Sequence, residues 1–170
     1  MMPLATLPVL PRAAARGDGR ALDLQSGASV FVTLTIAGQL CGVPVHSVRD
    51  VLREQPITRI PLAPPEIAGS LNLRGRIVTA IDLRRRLQLP PAAAGAHPMS
   101  LVAEHDGELY ALQVDQVCEV LSPEVTRFEP NPPTLPPAWT RYCTGIYRLE
   151  TNLMLVLDLS RLLALTPEGP

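Results

Sequence analysis

Val30, Val32, Leu34 and Ile36 alternate with Phe31, Thr33 and Thr35, a period of two that predicts a half-buried strand. Ala37-Gly38-Gln39 supplies a turn, and Leu40 to Val45 returns as a second strand, so the segment reads as a hairpin. His46 to Leu52 reads as a helical turn followed by a third strand. From Pro56 to Pro65, four prolines in ten residues exclude a helix interior or a central strand and predict a rigid connection to Ile67-Ala68-Gly69. Ile77 to Ile81 is then a buried strand. Asp82 is placed to cap a short helix from Leu83 to Leu89, which ends before Pro90-Pro91.

The same plan follows a second time. Strands are expected near Leu101 to Glu104, Leu109 to Asp115 and Val117 to Leu121. A proline-rich connection from Pro130 to Pro137 comes next, then a strand from Leu153 to Leu157 that leads through Asp158 into a helix ending near Leu165. Individual positions match as well. Gly38, Leu40, Val45, Val48, Asp50, Val51 and Leu52 align with Gly107, Leu109, Val114, Val117, Glu119, Val120 and Leu121. Thr58-Arg59 answers Thr126-Arg127, and Gly69, Leu73, Asp82, Leu83, Arg85 and Leu87 answer Gly145, Leu149, Asp158, Leu159, Arg161 and Leu163. A unit of this length is too long for a solenoid repeat and fits a duplicated small domain. Short strands separated by Gly and Pro turns predict a mainly β chain of two small barrels rather than a parallel sheet. The expected division is a mobile leader over 1–28, a first barrel over 29–91, a linker over 92–98 and a second barrel over 99–166.

Composition narrows the picture. A unit of this size is marginal alone, so the two are expected to pack together. With 46% hydrophobic but only 4% aromatic residues, the core is expected to be aliphatic. The formal charge of −1 provides no field for steering toward nucleic acid or anionic lipid. All 15 basic residues are arginine; the one dense run, Arg84-Arg85-Arg86, reads as the solvated face of a short helix or else as a phosphate-binding patch. Cys41, Cys118 and Cys143 are odd in number and widely spaced, which suits buried free thiols better than disulfides or zinc. Prolines break up the apolar start of the chain and no apolar run approaches a bilayer span, so neither a signal peptide nor direct membrane insertion is expected.

The candidate chemistry is thin. His46 and Asp50 form a histidine–acid pair four residues apart. Asp82 and Asp158 recur in both repeats and are explained by helix capping. No glycine-rich phosphate loop is present, and no metal or cofactor is expected. An oligonucleotide-binding barrel would want stacking aromatics, and the only phenylalanines are Phe31 and Phe128. Arg74, in the polar turn Asn72-Leu73-Arg74-Gly75-Arg76, stands out because the second repeat places Glu150 there. A guanidinium on a tight turn suits forked pairing with a carboxylate; a solvated hairpin arginine is the other reading.

Several runs resemble the CheW family of bacterial chemotaxis coupling proteins. They are Gly42-Val43-Pro44-Val45, Val48-Arg49-Asp50-Val51-Leu52, Pro56-Ile57-Thr58-Arg59-Ile60-Pro61 and the stretch from Gly69 to Arg84, with its Asn-Leu-Arg-Gly and Asp-Leu-Arg phrases. The likeness extends from about Val30 to Leu165. It implies two tandem SH3-like five-stranded β-barrel subdomains with a shared interface and no enzymatic activity. It also implies a cytoplasmic adaptor, recruited to the membrane's inner face through receptor arrays. Such an adaptor joins the tip of chemoreceptors to the regulatory domain of a CheA-type histidine kinase, with receptor and kinase positions at Val48, Asp50, Gly69, Arg74, Met99 and Val120. The resemblance pairs Asp50 with Arg74. Service in another chemosensory-type pathway, such as surface motility or second-messenger control, stays open, as does weak self-association through the barrel ends.

Overall fold

The computed structural model describes residues 30–124 and 127–165; the expected leader over 1–28 lies outside the described residues. The first repeat contributes β1 (Phe31–Ile36), β2 (Gln39–Pro44), a 3-10 turn (Val45–Ser47), β3 (Val48–Leu52), β4 (Ile67–Leu73), β5 (Arg76–Asp82) and α1 (Leu83–Arg86). The second contributes β6 (Met99–His105), β7 (Glu108–Val114), β8 (Gln116–Leu121), β9 (Phe128–Glu129), α2 (Pro137–Thr140), β10 (Cys143–Arg148), β11 (Leu153–Leu157) and α3 (Leu159–Leu162). The turns follow from local chemistry. Ala37-Gly38, Arg74-Gly75 and Asp106-Gly107 each join paired strands with two residues at positive φ, the backbone that a tight hairpin with the native twist demands. Asp82 and Asp158 cap α1 and α3, each carboxylate accepting from two backbone amides of the first turn.

The strands are not shared out along the chain. One sheet runs β8-β1-β2-β11-β10-β9 and the other β3-β6-β7-β5-β4. Each repeat lends its first hairpin to the other's sheet: β1–β2 sits between β8 and β11, and β6–β7 sits between β3 and β5. The expected division into contiguous barrels over 29–91 and 99–166 therefore does not describe how the strands pair. The loans enter through parallel ladders, Leu155 opposite Cys41 in one sheet and Thr79 opposite Tyr110 in the other. The segment after each outer strand closes its sheet. Thr58 bridges Ser70 through two backbone hydrogen bonds of 2.8 Å, and β9 pairs with β10.

This exchange explains where the core lies. A central cluster takes Leu34, Cys41, Ile81, Leu101, Leu112 and Leu157 from both sheets. Each barrel keeps a smaller core of its own, Leu71, Val78, Ala80, Val102 and Ala111 in one, and Phe31, Tyr147, Met154 and Val156 in the other. β1 is thus buried on both faces, not one: Val32, Leu34 and Ile36 turn to the shared core, while Phe31 turns to the private one and Thr33 is tied to β8. The core is also less purely aliphatic than composition suggests, because Trp139, Tyr142, Tyr147 and Phe31 are all buried. Cys41 and Cys143 are buried thiols and Cys118 is half-buried.

The basic run on α1 is a tie between repeats rather than a solvated face. Arg84 forks onto Asp115 at 3.0 and 2.8 Å and donates to the Pro90 carbonyl at 2.7 Å. Burial pushes the Asp115 carboxyl up, but the hydrogen bonds from Arg84 and the Ala37 amide outweigh it and hold the group below its ordinary range. Arg86 donates to the carbonyls of Arg161, Leu162 and Ala164, closing the end of α3. Only Arg85 remains broadly exposed, at 62%.

Candidate partner-binding surface

Asp50 and Arg74 meet across the closure of the first barrel. Asp50 lies on β3, which borders its sheet on one side; Arg74 lies in the turn between β4 and β5 on the other. Pairing of Leu73 with Arg76 leaves only Arg74-Gly75 to reverse the chain, at φ values of 51° and 87°, and the Asn72 side chain accepts from the Gly75 amide at 2.9 Å. That pins the guanidinium over β3, where Arg74 Nη1 donates to Asp50 Oδ2 at 2.7 Å. The pairing is not forked, as the turn chemistry had suggested: Asp50 Oδ1 instead accepts from the Val51 amide at 2.9 Å. These two bonds, Arg74's foremost, hold the Asp50 carboxyl below its ordinary value. With Arg74 at 75% exposure, most of its donors face solvent.

The pair overlooks a depression of about 310 Å³ floored by Leu73 and Leu109 and flanked by the ion pair Arg49–Glu104 at 2.7 Å. The other expected positions fall elsewhere. Val48, Met99 and Val120 are half-buried against the shared core, on β3, β6 and β8 respectively. Met99 reaches between the sheets, its Sδ accepting from the Val117 amide at 3.4 Å. Gly69 is buried on β4 with φ of 147°, and a Cβ there would run into the Thr58 carbonyl and meet Ile57 Cγ2 at 2.7 Å. Its place is to let the barrel close. The structure thus brings Asp50 and Arg74 together and leaves Val48, Gly69, Met99 and Val120 outside their depression. Leu73 and Leu109, the floor, were not singled out from sequence as site residues. The signal was there, since they recur as Leu149 and Leu40.

Those recurrences build a second mouth. Leu40, Leu149, Glu119 and Glu150 line a cavity of about 760 Å³ at the end of the other barrel. Here the loop between β10 and β11 is four residues wide, Leu149 to Asn152, and puts Glu150 where the first repeat has Arg74. The first mouth is latched by the Asp50–Arg74 ion pair, whereas Glu119 and Glu150 at the second form no ion pair among the described residues.

Two small β-barrels with exchanged hairpins, a common core and polar-rimmed mouths define a scaffold whose shaped surfaces are of the kind that receive protein partners. A family model described as CheW-like domain matches residues 30–166, so the chain belongs to the CheW family of chemotaxis coupling scaffolds. It is 28% identical over 134 residues to the chemotaxis protein CheW of Klebsiella aerogenes, covering 79% of this chain and 81% of that protein. It is 27% identical over 144 residues to the probable chemotaxis protein CheW of Rhizobium etli, covering 85% of this chain and 93% of that one. The solved scaffolding protein TtCheW from Thermoanaerobacter tengcongensis superposes with a TM-score of 0.75 at 28% identity, covering 84% of this chain and 96% of that chain. No helix among the described residues is long and apolar enough to cross a membrane.

Proposed function

We propose that this protein is a non-enzymatic adaptor that links the cytoplasmic tip of chemoreceptors to the regulatory domain of a CheA-type histidine kinase. It works in the cytoplasm and reaches the membrane only through receptor arrays. The observation that carries the reading is the Asp50–Arg74 latch. It joins the two residues that the family resemblance pairs, and its guanidinium is pinned by a two-residue turn yet mostly open to solvent. A charged donor held in place before binding loses little entropy on meeting a carboxylate or backbone carbonyl of a helical tip. Leu73 and Leu109 supply apolar contact beside it. Val48, Met99 and Val120 are proposed to act by shaping the junction between barrels, and Gly69 by permitting closure. Array strength then comes from many linked, individually modest contacts.

The test is titration of the purified protein against the kinase regulatory domain and, separately, against a receptor-tip hairpin from the same cell. Saturable binding with Kd on the order of micromolar supports the adaptor. A folded protein that binds neither refutes it.

A further inference from the structure

The chain enters its fold beside the mouth of the second barrel. Residues 1–29 precede Val30, whose carbonyl accepts from the Val45 amide at 2.9 Å. Phe31 then pairs with Leu121, so β1 begins where β8 ends. Ser122, Pro123 and Glu124, which follow Leu121, all line the cavity of that mouth.

The cavity has apolar walls and lacks the cover that its counterpart has. Leu40, Val117, Leu121 and Leu149 line it. In the first barrel, Arg74 reaches from its turn to Asp50 beside the matching Leu73 and Leu109. In the second, the turn offers Glu150 instead, and the volume is about 760 Å³ rather than about 310 Å³. Concave apolar surface of that size suits a docked segment better than water.

The leader carries the complement. In Leu7-Pro8-Val9-Leu10-Pro11-Arg12, three apolar side chains and two prolines stand ahead of a guanidinium. Pro8 and Pro11 have no amide N–H, so burying this run strands few donors, and their fixed φ lowers the entropy lost on docking. The charges match as well. Glu119, Glu124 and Glu150 line the cavity against Arg127, which is already engaged at 4.0 Å by Glu124 and at 3.3 Å by the Arg148 carbonyl. Glu119 is half-buried in the wall, which leaves the exposed Glu150 as the accessible acceptor. The stretch from Arg12 to Val30 can span up to about 60 Å, ample for the return. A tethered segment is held at an effective concentration of roughly millimolar, so a contact too weak to retain a free peptide suffices.

We infer that Leu7–Arg12 of the leader seats in the mouth of the second barrel, its apolar residues against the leucine walls and Arg12 paired with Glu150. Neither kinase nor receptor takes part in this contact, so it holds or fails independently of the adaptor reading.

The test records amide NMR spectra of the full chain as wild type, Leu7→Asp/Leu10→Asp, Arg12→Glu, and Arg12→Glu with Glu150→Arg, each checked for folding by thermal melting. Leu7→Asp/Leu10→Asp should shift the signals of Ser122, Glu124 and Leu149 to Asn152 while leaving those of Asp50, Leu73 and Leu109 in place. Arg12→Glu should displace the Leu7 and Val9 signals, and adding Glu150→Arg should bring them back. Unchanged lining signals in the folded Leu7→Asp/Leu10→Asp protein overturn the inference, as do shifts centred on the mouth of the first barrel. Shifts that vanish on dilution of the wild type overturn the seat within one chain and assign the leader to the mouth of a second copy.

Discussion

Arg86 of the first repeat lies over the ring of Tyr142 in the second, its guanidinium carbon 5.0 Å from the ring centroid. The same side chain is only 12% exposed, pairs with Glu66 at 3.3 Å and donates to three carbonyls at the end of α3. One residue thereby fastens the last helix to the body of the first repeat. Arg86→Ala would strip donors from these carbonyls and leave Glu66 without its cation. The expected loss is about 3 kcal/mol, or roughly 10 °C in Tm for a chain of this size. Denaturant unfolding measures it directly. A loss below ~1 kcal/mol would show that water replaces the guanidinium at little cost.

Gly69→Ala is expected to destabilise far more than Gly38→Ala, although both glycines have positive φ. At Gly38 a Cβ meets nothing within 4 Å, so only backbone strain of about 1 kcal/mol arises. At Gly69 the Cβ strikes the Thr58 backbone, which the bridge to Ser70 holds in place, and the cost is about 3 kcal/mol or more. Binding by Gly69→Ala should then fall only as the folded fraction falls. Full stability with lost binding would make Gly69 a contact residue instead.

Arg74→Ala should weaken receptor binding while changing stability by less than ~1 kcal/mol, the ordinary worth of an exposed ion pair. Its small stabilising effect has a definite pH dependence. The Asp50 carboxyl is held below its unfolded value, so the folded state binds this proton less tightly than the unfolded chain. The stabilisation is complete above the unfolded value of about 3.9 and is lost as pH falls through the lower folded value. The difference in unfolding free energy between wild type and Arg74→Ala should therefore be flat near neutrality and shrink in acid. A difference that grows in acid would contradict the pairing.

Glu119 has the opposite sign. Its carboxyl is raised by burial, so ionisation penalises the folded state. The penalty is absent below the unfolded value of about 4.3 and complete above the higher folded one. Glu119→Gln should equal or exceed the wild type in neutral-pH stability, with the gain vanishing in acid. A less stable Glu119→Gln at neutral pH would mean the carboxylate has a partner when the chain is free.

Much of this was legible in the sequence because it is local. The Asp82 and Asp158 caps and the Asn-Leu-Arg-Gly turn each depend on residues within four positions of one another. The latch was legible through resemblance, since Asp50 and Arg74 are 24 residues apart and nothing in the pattern joins them. The exchange of hairpins was not legible at all. β1–β2 and β6–β7 carry the same alternation and the same turns, so periodicity cannot say which partner each will take. Nor could composition reveal that Arg84 and Arg86 are held inside the structure. Their partners, Asp115 and the α3 carbonyls, lie 31 or more residues away.

The exchange leads to a last prediction. If each barrel were built from one contiguous half, a cut in the linker near Gly95 would release two folded units. In the observed topology such a cut leaves the first half with β3 lacking its neighbour β6, and with β2 lacking β11. The second half is left with β8 stripped of β1. Both halves would expose strand edges and apolar faces that the shared core now covers. Fragments 1–95 and 96–170 are accordingly expected to be unfolded or aggregated alone. Mixed at equal concentration, they should recover β-sheet circular dichroism and a single cooperative melt at a concentration-dependent temperature. A cooperative transition in either fragment alone would show that a half can rebuild a barrel without its borrowed hairpin.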